Sequence, residues 1–153
     1  MIGKLSSTQI EELLQGEMIG RIGCHYNGTT YIVPVSYAYD GTYVYVHTYE
    51  GMKIEFMRHN PAVCFQVDHM QDMGNWQSVV AWGQFEELSS EPERSQAIQV
   101  LQNRRFPIIS SVTLHLGEAW PFSSDSDKDL DGIIFRIGLN EKTGRFESTS
   151  YSH

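Results

Sequence analysis

The sequence predicts a mainly β fold, an antiparallel barrel that is closed or split. Two observations carry this reading. Alternating apolar and polar runs are joined by the dipeptides Asn27-Gly28 and Asp40-Gly41, which supply the positive φ angles of tight hairpin turns. The strand-to-strand links are also too short for βαβ crossovers, so a doubly wound parallel sheet is disfavoured. Neither GxGxxG nor GxxxxGK[ST] occurs, and the usual dinucleotide and P-loop fingerprints are therefore missing.

The elements follow in order. Residues 5–14 (LSSTQIEELL) set Ser6 three before Gln9, a capping-box spacing, with Ile10, Leu13 and Leu14 on one helical face. Gly16 and Gly20 bracket the exit. A strand over Arg21–His25 turns at Asn27-Gly28 into Thr29–Tyr39, which is expected to break at Pro34, and Asp40-Gly41 is a second hairpin turn. Thr42–Thr48 puts Tyr43, Tyr45 and His47 on one face and Val44, Val46 and Thr48 on the other. Gly51 ends that strand. Met52–His59 has helical spacing (Ile54, Phe56, Met57) and stops at Asn60-Pro61. Ala62–Asp68 reads as a strand, 69–75 as a polar loop, and Trp76–Leu88 as a long strand with a bulge or bend at Gly83. Ser90-Glu91-Pro92-Glu93 has capping-box spacing and opens a helix through Ile98, Val100 and Leu101. Residues 104–131 read as irregular, Gly132–Leu139 as a last apolar strand, and the tail as polar.

At 153 residues the chain is expected to form one domain over 1–153. Hydrophobic residues at 41% and charged residues at 20% exclude an intrinsically disordered chain. A net charge of −8 repels phosphate backbones, so no nucleic-acid partner is expected, although a local basic pocket for one small anion is compatible with it. Two cysteines, Cys24 and Cys64, make no disulfide framework and no CxxC site. Without a secretory h-region or an apolar run of about 20 residues, the expected location is cytoplasmic, with no membrane partner.

Three segments carry candidate chemistry. In His47-Thr48-Tyr49-Glu50-Gly51-Met52-Lys53 a strand ends in polar side chains, a glycine permits a turn, and a lysine enters the first turn of a helix. Free N–H groups there, with the lysine ammonium, would make an anion pocket suited to phosphate. The plain alternative is a lysine on a solvated helix face. In Ile32-Val33-Pro34-Val35-Ser36-Tyr37, proline removes a ladder donor, which points to edge protection or to backbone facing a ligand. In Asn75-Trp76-Gln77-Ser78-Val79-Val80 a loop re-enters a strand with a large aromatic and a hydroxyl, and Trp76 taken alone reads as core. Asp127-x-Asp129-x-Asp131-Gly132 opens like a calcium loop, but Gly138 stands where the bidentate glutamate belongs. His25, His59, His69 and His115 have no metal-ligand spacing, so no metal site is expected.

Taken together and in order, Gly20-Arg21-Ile22-Gly23, Val33-Pro34-Val35-Ser36-Tyr37, His47-Thr48-x-x-Gly51-x-Lys53, Asn60-Pro61-x-Val63-x-Phe65 and Trp76-x-Ser78-Val79-Val80-x-x-Gly83 resemble the pyridoxamine 5'-phosphate oxidase-like flavoproteins. Within that superfamily the chain is most similar to the nitroimidazole-resistance (Nim) type. The resemblance implies an antiparallel split β-barrel homodimer with FMN in two clefts at the subunit interface. Carried over by position, Pro34, Val35 and Ser36 lie on the strand passing the isoalloxazine ring, and His47 and Thr48 at the strand end beside the flavin. Lys53 is implied as the phosphate lysine, and Trp76, Ser78 and Val79 as the return strand lining the cleft. The arginine-rich phosphate motif and the C-terminal arginine–histidine pair of the true oxidases are missing, which argues against vitamin B6 oxidation.

The function this implies is an FMN-dependent oxidoreductase acting on a small molecule, Nim-type or related, with a nicotinamide compound as candidate electron donor. Haem and deazaflavin are the alternative cofactors within the superfamily. The rival reading from another class is a non-catalytic module that stores or senses flavin or haem. A homodimer is expected on a second ground, because the aromatic strand residues Tyr43, Tyr45, Trp82 and Phe85 would need a partner surface. His47, a polar residue closing an otherwise aromatic face, is the candidate catalytic residue.

Overall fold

A computed structural model describes residues 1–104 and 132–149. Local chemistry accounts for most of its elements, which run β1 (Ile2–Lys4), α1 (Ser7–Gly16), β2 (Ile19–Tyr26), β3 (Thr29–Ser36), β4 (Ala38–Tyr39), β5 (Tyr43–Thr48), α2 (Met52–His59), β6 (Ala62–Asp72), β7 (Asn75–Glu87), α3 (Glu91–Asn103) and β8 (Ile133–Glu147). The capping box opening α1 is complete: Gln9 N donates to Ser6 Oγ at 3.2 Å, and Ser6 N to Gln9 Oε1 at 2.8 Å. Such a cap is worth about 1 kcal/mol. Packing holds the helix more strongly, because Ile10, Leu13 and Leu14 are buried and each fully buried side chain contributes about 1.5–3 kcal/mol. At the β2–β3 turn Asn27 and Gly28 both have positive φ, 52° and 77°, as a type I′ hairpin requires.

All strand pairs are antiparallel, in the order β3-β2-β6-β7-β8-β5-β4, with β1 added on β8. β3 and β4 stand at opposite ends of that order, yet only Tyr37 separates them in the chain. The sheet must therefore roll up until its ends meet, and β3 approaches β5. The ladder is not closed by hydrogen bonds, so the barrel is split. Tyr37 is buried at the join, with its N–H on Met18 O (3.1 Å) and its hydroxyl on Leu14 O (2.7 Å).

Strand alternation sorts the side chains. Ile22, Val35, Val44, Val46, Phe65, Val67, Val79, Phe135 and Ile137 fill the interior with the apolar faces of α1 and α2. A second cluster lies outside the barrel wall, where Ala97, Ile98 and Leu101 of α3 cover Ala38, Tyr45 and Ile134. A polar tie binds α1 to β4 and β8. Lys142 Nζ donates to Glu11 Oε1 (2.5 Å) and to the Tyr39 hydroxyl (2.8 Å), which itself donates to Glu11 Oε2 (2.6 Å).

Several expectations are corrected. The interruption after β3 falls at Tyr37, not Pro34; the proline stays in β3 because an edge strand does not need its missing N–H. The predicted 69–75 loop is a hairpin with only Met73-Gly74 between paired Asp72 and Asn75, and Asp72 Oδ1 accepts from Gly74 N (2.8 Å). Ser90 caps α3 by position but makes no side-chain cap bond. β8 runs on to Glu147 through residues read as a polar tail, and β1, not foreseen, pairs with its end. Tyr45 is 2% exposed because α3 covers it, so it gives no support to a partner surface. The calcium-like run 127–131, His115 and the irregular stretch from 105 lie outside the described residues. Among the described residues no helix is long and apolar enough to cross a membrane.

Candidate functional site

The β5–α2 junction gathers three of the sequence-predicted residues. By alternation His47 points out of the barrel, as Tyr43 and Tyr45 do, while Val44 and Val46 point in. Its ring meets Tyr49 edge-on at 5.4 Å between centroids. Thr48 ends the strand half-buried. Gly51 caps α2 without a side chain, so among the described residues the first helical N–H groups receive no side-chain acceptor. Lys53 sits in that first turn, half-buried, and burial lowers its ammonium pKa from the usual 10.5. Among the described residues it has no hydrogen-bond or ion-pair partner. Tyr49 and Met52, 63% and 53% exposed, stand beside it. A half-buried cation, unpaired N–H groups and exposed apolar side chains together can receive an anionic group carried on an aromatic ligand.

Two features of this junction escaped the sequence reading. Gly132 packs flat against it with φ +109°, and a Cβ there would lie 2.6 Å from Thr48 O and 3.0 Å from His47 Nε2. Arg58, in the last turn of α2, reaches both Glu50 and Glu87. Its Nη1 donates to Glu50 Oε2 (3.1 Å), its Nε to Glu87 Oε2 (3.0 Å) and its Nη2 to Glu87 Oε1 (2.6 Å). Glu87 lies 29 residues from Arg58, so no local pattern signals the contact. A glycine immediately before an apolar strand is the one signal that could have found Gly132.

The remaining candidates divide by face. Pro34 and Ser36 point outward on edge strand β3, whereas Val35 and Val79 are buried in the interior and can offer an outside ligand only backbone. Trp76 and Ser78 point outward on β7. The Trp76 indole N–H donates to Glu147 Oε2 (2.9 Å), and Ser78 Oγ accepts from Gln66 Nε2 (3.3 Å). Gln66 belongs to a polar row with Arg21 and Asp68, where Arg21 Nη1 lies 3.3 Å from Asp68 Oδ2.

One chain does not bring all of these together. His47 pairs with Ile134 and Trp76 with Glu147, near opposite ends of β8, roughly 40 Å apart along the strand. Across the other route, β3, β2, β6 and β7 separate Pro34 from Ser78 by roughly 14 Å. His47, Thr48 and Lys53 form one group at the β5–α2 junction, with Ser36 at the end of β3, the strand that approaches β5, while Trp76 and Ser78 form another. Farther along β7 from the second group, a groove of about 520 Å³ is lined by Ile32, Cys64, Trp82 and Gln84.

The profile of the family described as pyridoxamine 5'-phosphate oxidase matches residues 6–145. The chain belongs to the pyridoxamine 5'-phosphate oxidase family. An uncharacterized protein of Rhizobium meliloti (strain 1021) is 30% identical over 145 residues, 92% of each chain. Among solved structures, a FAD-binding protein of Mesorhizobium loti is 30% identical, with a TM-score of 0.74 over 97% of this chain and 99% of its own. A candidate 5-nitroimidazole antibiotic resistance protein of Bacteroides thetaiotaomicron has a TM-score of 0.73 at 18% identity, covering 95% and 87%; that likeness is one of fold. The expected family and the expected split-barrel class both hold.

Proposed function

We propose that this member of the pyridoxamine 5'-phosphate oxidase family binds FMN and acts as a cytoplasmic oxidoreductase on a small molecule, as a homodimer. The observation that carries the reading is Lys53, a half-buried cation in the first turn of α2 with no partner among the described residues, on the helix that follows the strand of the outward-facing His47. The residues present fit a flavin phosphate. Lys53 and the first N–H groups of α2 supply charge and donors, while Tyr49 and Met52 supply exposed apolar contact next to them. The FAD-binding relative of Mesorhizobium loti supports a flavin ligand.

Bound flavin would supply the electron-transfer chemistry. The chain's own residues would do the rest. Lys53 would hold the phosphate, Pro34, Ser36 and the backbone at Val35 would line the ring, and His47 and Thr48 would lie at its edge, where the imidazole would hold or move a proton. Trp76, Ser78 and the backbone at Val79 would complete the cleft from a second copy, which accounts for their separation from Lys53 within one chain.

Lys53→Ala tests the reading. A charge-assisted contact to phosphate is worth about 1.5–3 kcal/mol, so FMN affinity should fall about 10- to 100-fold, while riboflavin, without the phosphate, changes little. Equal losses for the two ligands in a fluorescence titration would remove Lys53 from the phosphate site.

A further inference from the structure

We infer that Arg58 holds the Glu50 carboxylate away from Lys53 and so keeps the lysine open to a ligand phosphate. The inference rests on the phosphate reading above and assigns a positioning role to a residue outside that set. Glu50 lies three residues before Lys53, immediately ahead of Gly51, the N-cap of that helix. Oppositely charged side chains at this spacing around a helix start are natural partners. An acidic chain of net charge −8 offers them every inducement to pair. Yet both oxygens of Glu50 are engaged by Arg58, Oε2 from Nη1 at 3.1 Å and Oε1 from Nη2 at 3.0 Å. Arg58 is in turn anchored on Glu87 at the end of β7 by two hydrogen bonds, 3.0 and 2.6 Å. The planar guanidinium is suited to such a double fork, which an ammonium could not make. The acid of the first turn itself, Glu55, is exposed on α2.

Without Arg58, Glu50 would be released three residues from a half-buried ammonium that has no partner among the described residues. An incoming phosphate would then have to displace a carboxylate already seated there and would meet its repulsion. Arg58 therefore acts through Glu50 and Lys53 and itself touches no ligand.

The experiment titrates FMN and riboflavin into the full chain carrying Lys53→Ala, Arg58→Ala, Arg58→Gln, Arg58→Ala/Glu50→Gln or Arg58→Ala/Glu87→Gln. Separately, NMR follows the Lys53 ammonium titration in the flavin-free protein. Both Arg58 substitutions are expected to weaken FMN on the order of 5- to 10-fold, with riboflavin unchanged. Adding Glu50→Gln should restore affinity to within about twofold of the parent, whereas adding Glu87→Gln should not. The Lys53 pKa should rise in Arg58→Ala and return once Glu50 is also replaced. Failure of Glu50→Gln to restore binding would overturn the inference, as would an unmoved Lys53 titration or a loss confined to Arg58→Ala, which would mark a packing effect. Failure of the phosphate reading looks different: Lys53→Ala would leave FMN and riboflavin equally affected, while the flavin-free titration still reports whether Arg58 governs Glu50.

Discussion

At the scale of single residues, His47 is placed by strand parity and by its neighbours. The β5 alternation turns it outward, Tyr49 meets its ring edge-on, and Gly132 leaves no room behind it for a Cβ. An imidazole can give or take a proton at a ligand's edge. His47→Ala is expected to retain FMN but to slow flavin reduction by nicotinamide or other donors about 100-fold, the scale of general acid–base assistance. Lost FMN would make the residue a binding element, and unchanged turnover would take it out of the chemistry. Unchanged absorbance with every donor tried, in the parent protein, would favour a storage or sensing role. A second residue-scale effect concerns Glu11. Burial alone would raise its pKa, but the hydrogen bonds from Lys142 and Tyr39 outweigh that and hold it below the ordinary 4.5. A carboxyl with a depressed native pKa stabilises the fold above its unfolded pKa and loses that contribution as pH falls through the native value. Glu11 is 39% exposed, so the effect is below about 1 kcal/mol. Melting temperatures measured from about pH 7 down to 3 should therefore fall less steeply below 4.5 in Lys142→Met than in the parent.

Elements show where sequence patterns suffice and where they fail. Gly83 was legible as a bulge, and the β7–β8 register does shift there, from Trp82↔Glu141 to Gly83↔Leu139. A Cβ on Gly83 would collide with the Gly138 carbonyl, which is backbone in a paired strand and cannot step aside. Gly83→Ala should consequently destabilise by about 1–3 kcal/mol or more in chemical denaturation, whereas Gly16→Ala, with open space around it, should not. The helices and the turn at Asn27-Gly28 were equally legible, because capping, 3.6-residue periodicity and positive φ are local properties. The far half of β8 was not. Asn140-Glu141-Lys142-Thr143 looks like a tail, since its outward residues are polar and its inward support comes from Gly144 packing under Leu5 and Ile10. The site was legible in the same uneven way. Lys53 and His47 followed from one short segment, while the clamp on Glu50 depends on a strand end that folding alone brings near.

The whole molecule presents the outward-facing candidate residues in two separated groups, with Ile19, Ile32, Met70 and Trp82 exposed on its surface. Tyr45 no longer contributes to the case for a partner, since α3 covers it; these four side chains and the split site do. Sedimentation at micromolar concentration is expected to give about twice the 17.5 kDa chain mass, and Trp82→Asp should shift the population toward monomer and weaken flavin in step. A monomer that still takes up one FMN with parental affinity would rule out a cleft completed by a second copy. The strand order has a consequence for how the chain is made. β8 pairs with β7, β5 and β1, so elements from both ends and the middle of the chain converge on the last described strand. While the protein is being synthesised, β5 and β7 have open edges until that strand leaves the ribosome. Those two edges lack their partner for the whole of that interval, and the barrel can only be completed after translation of β8.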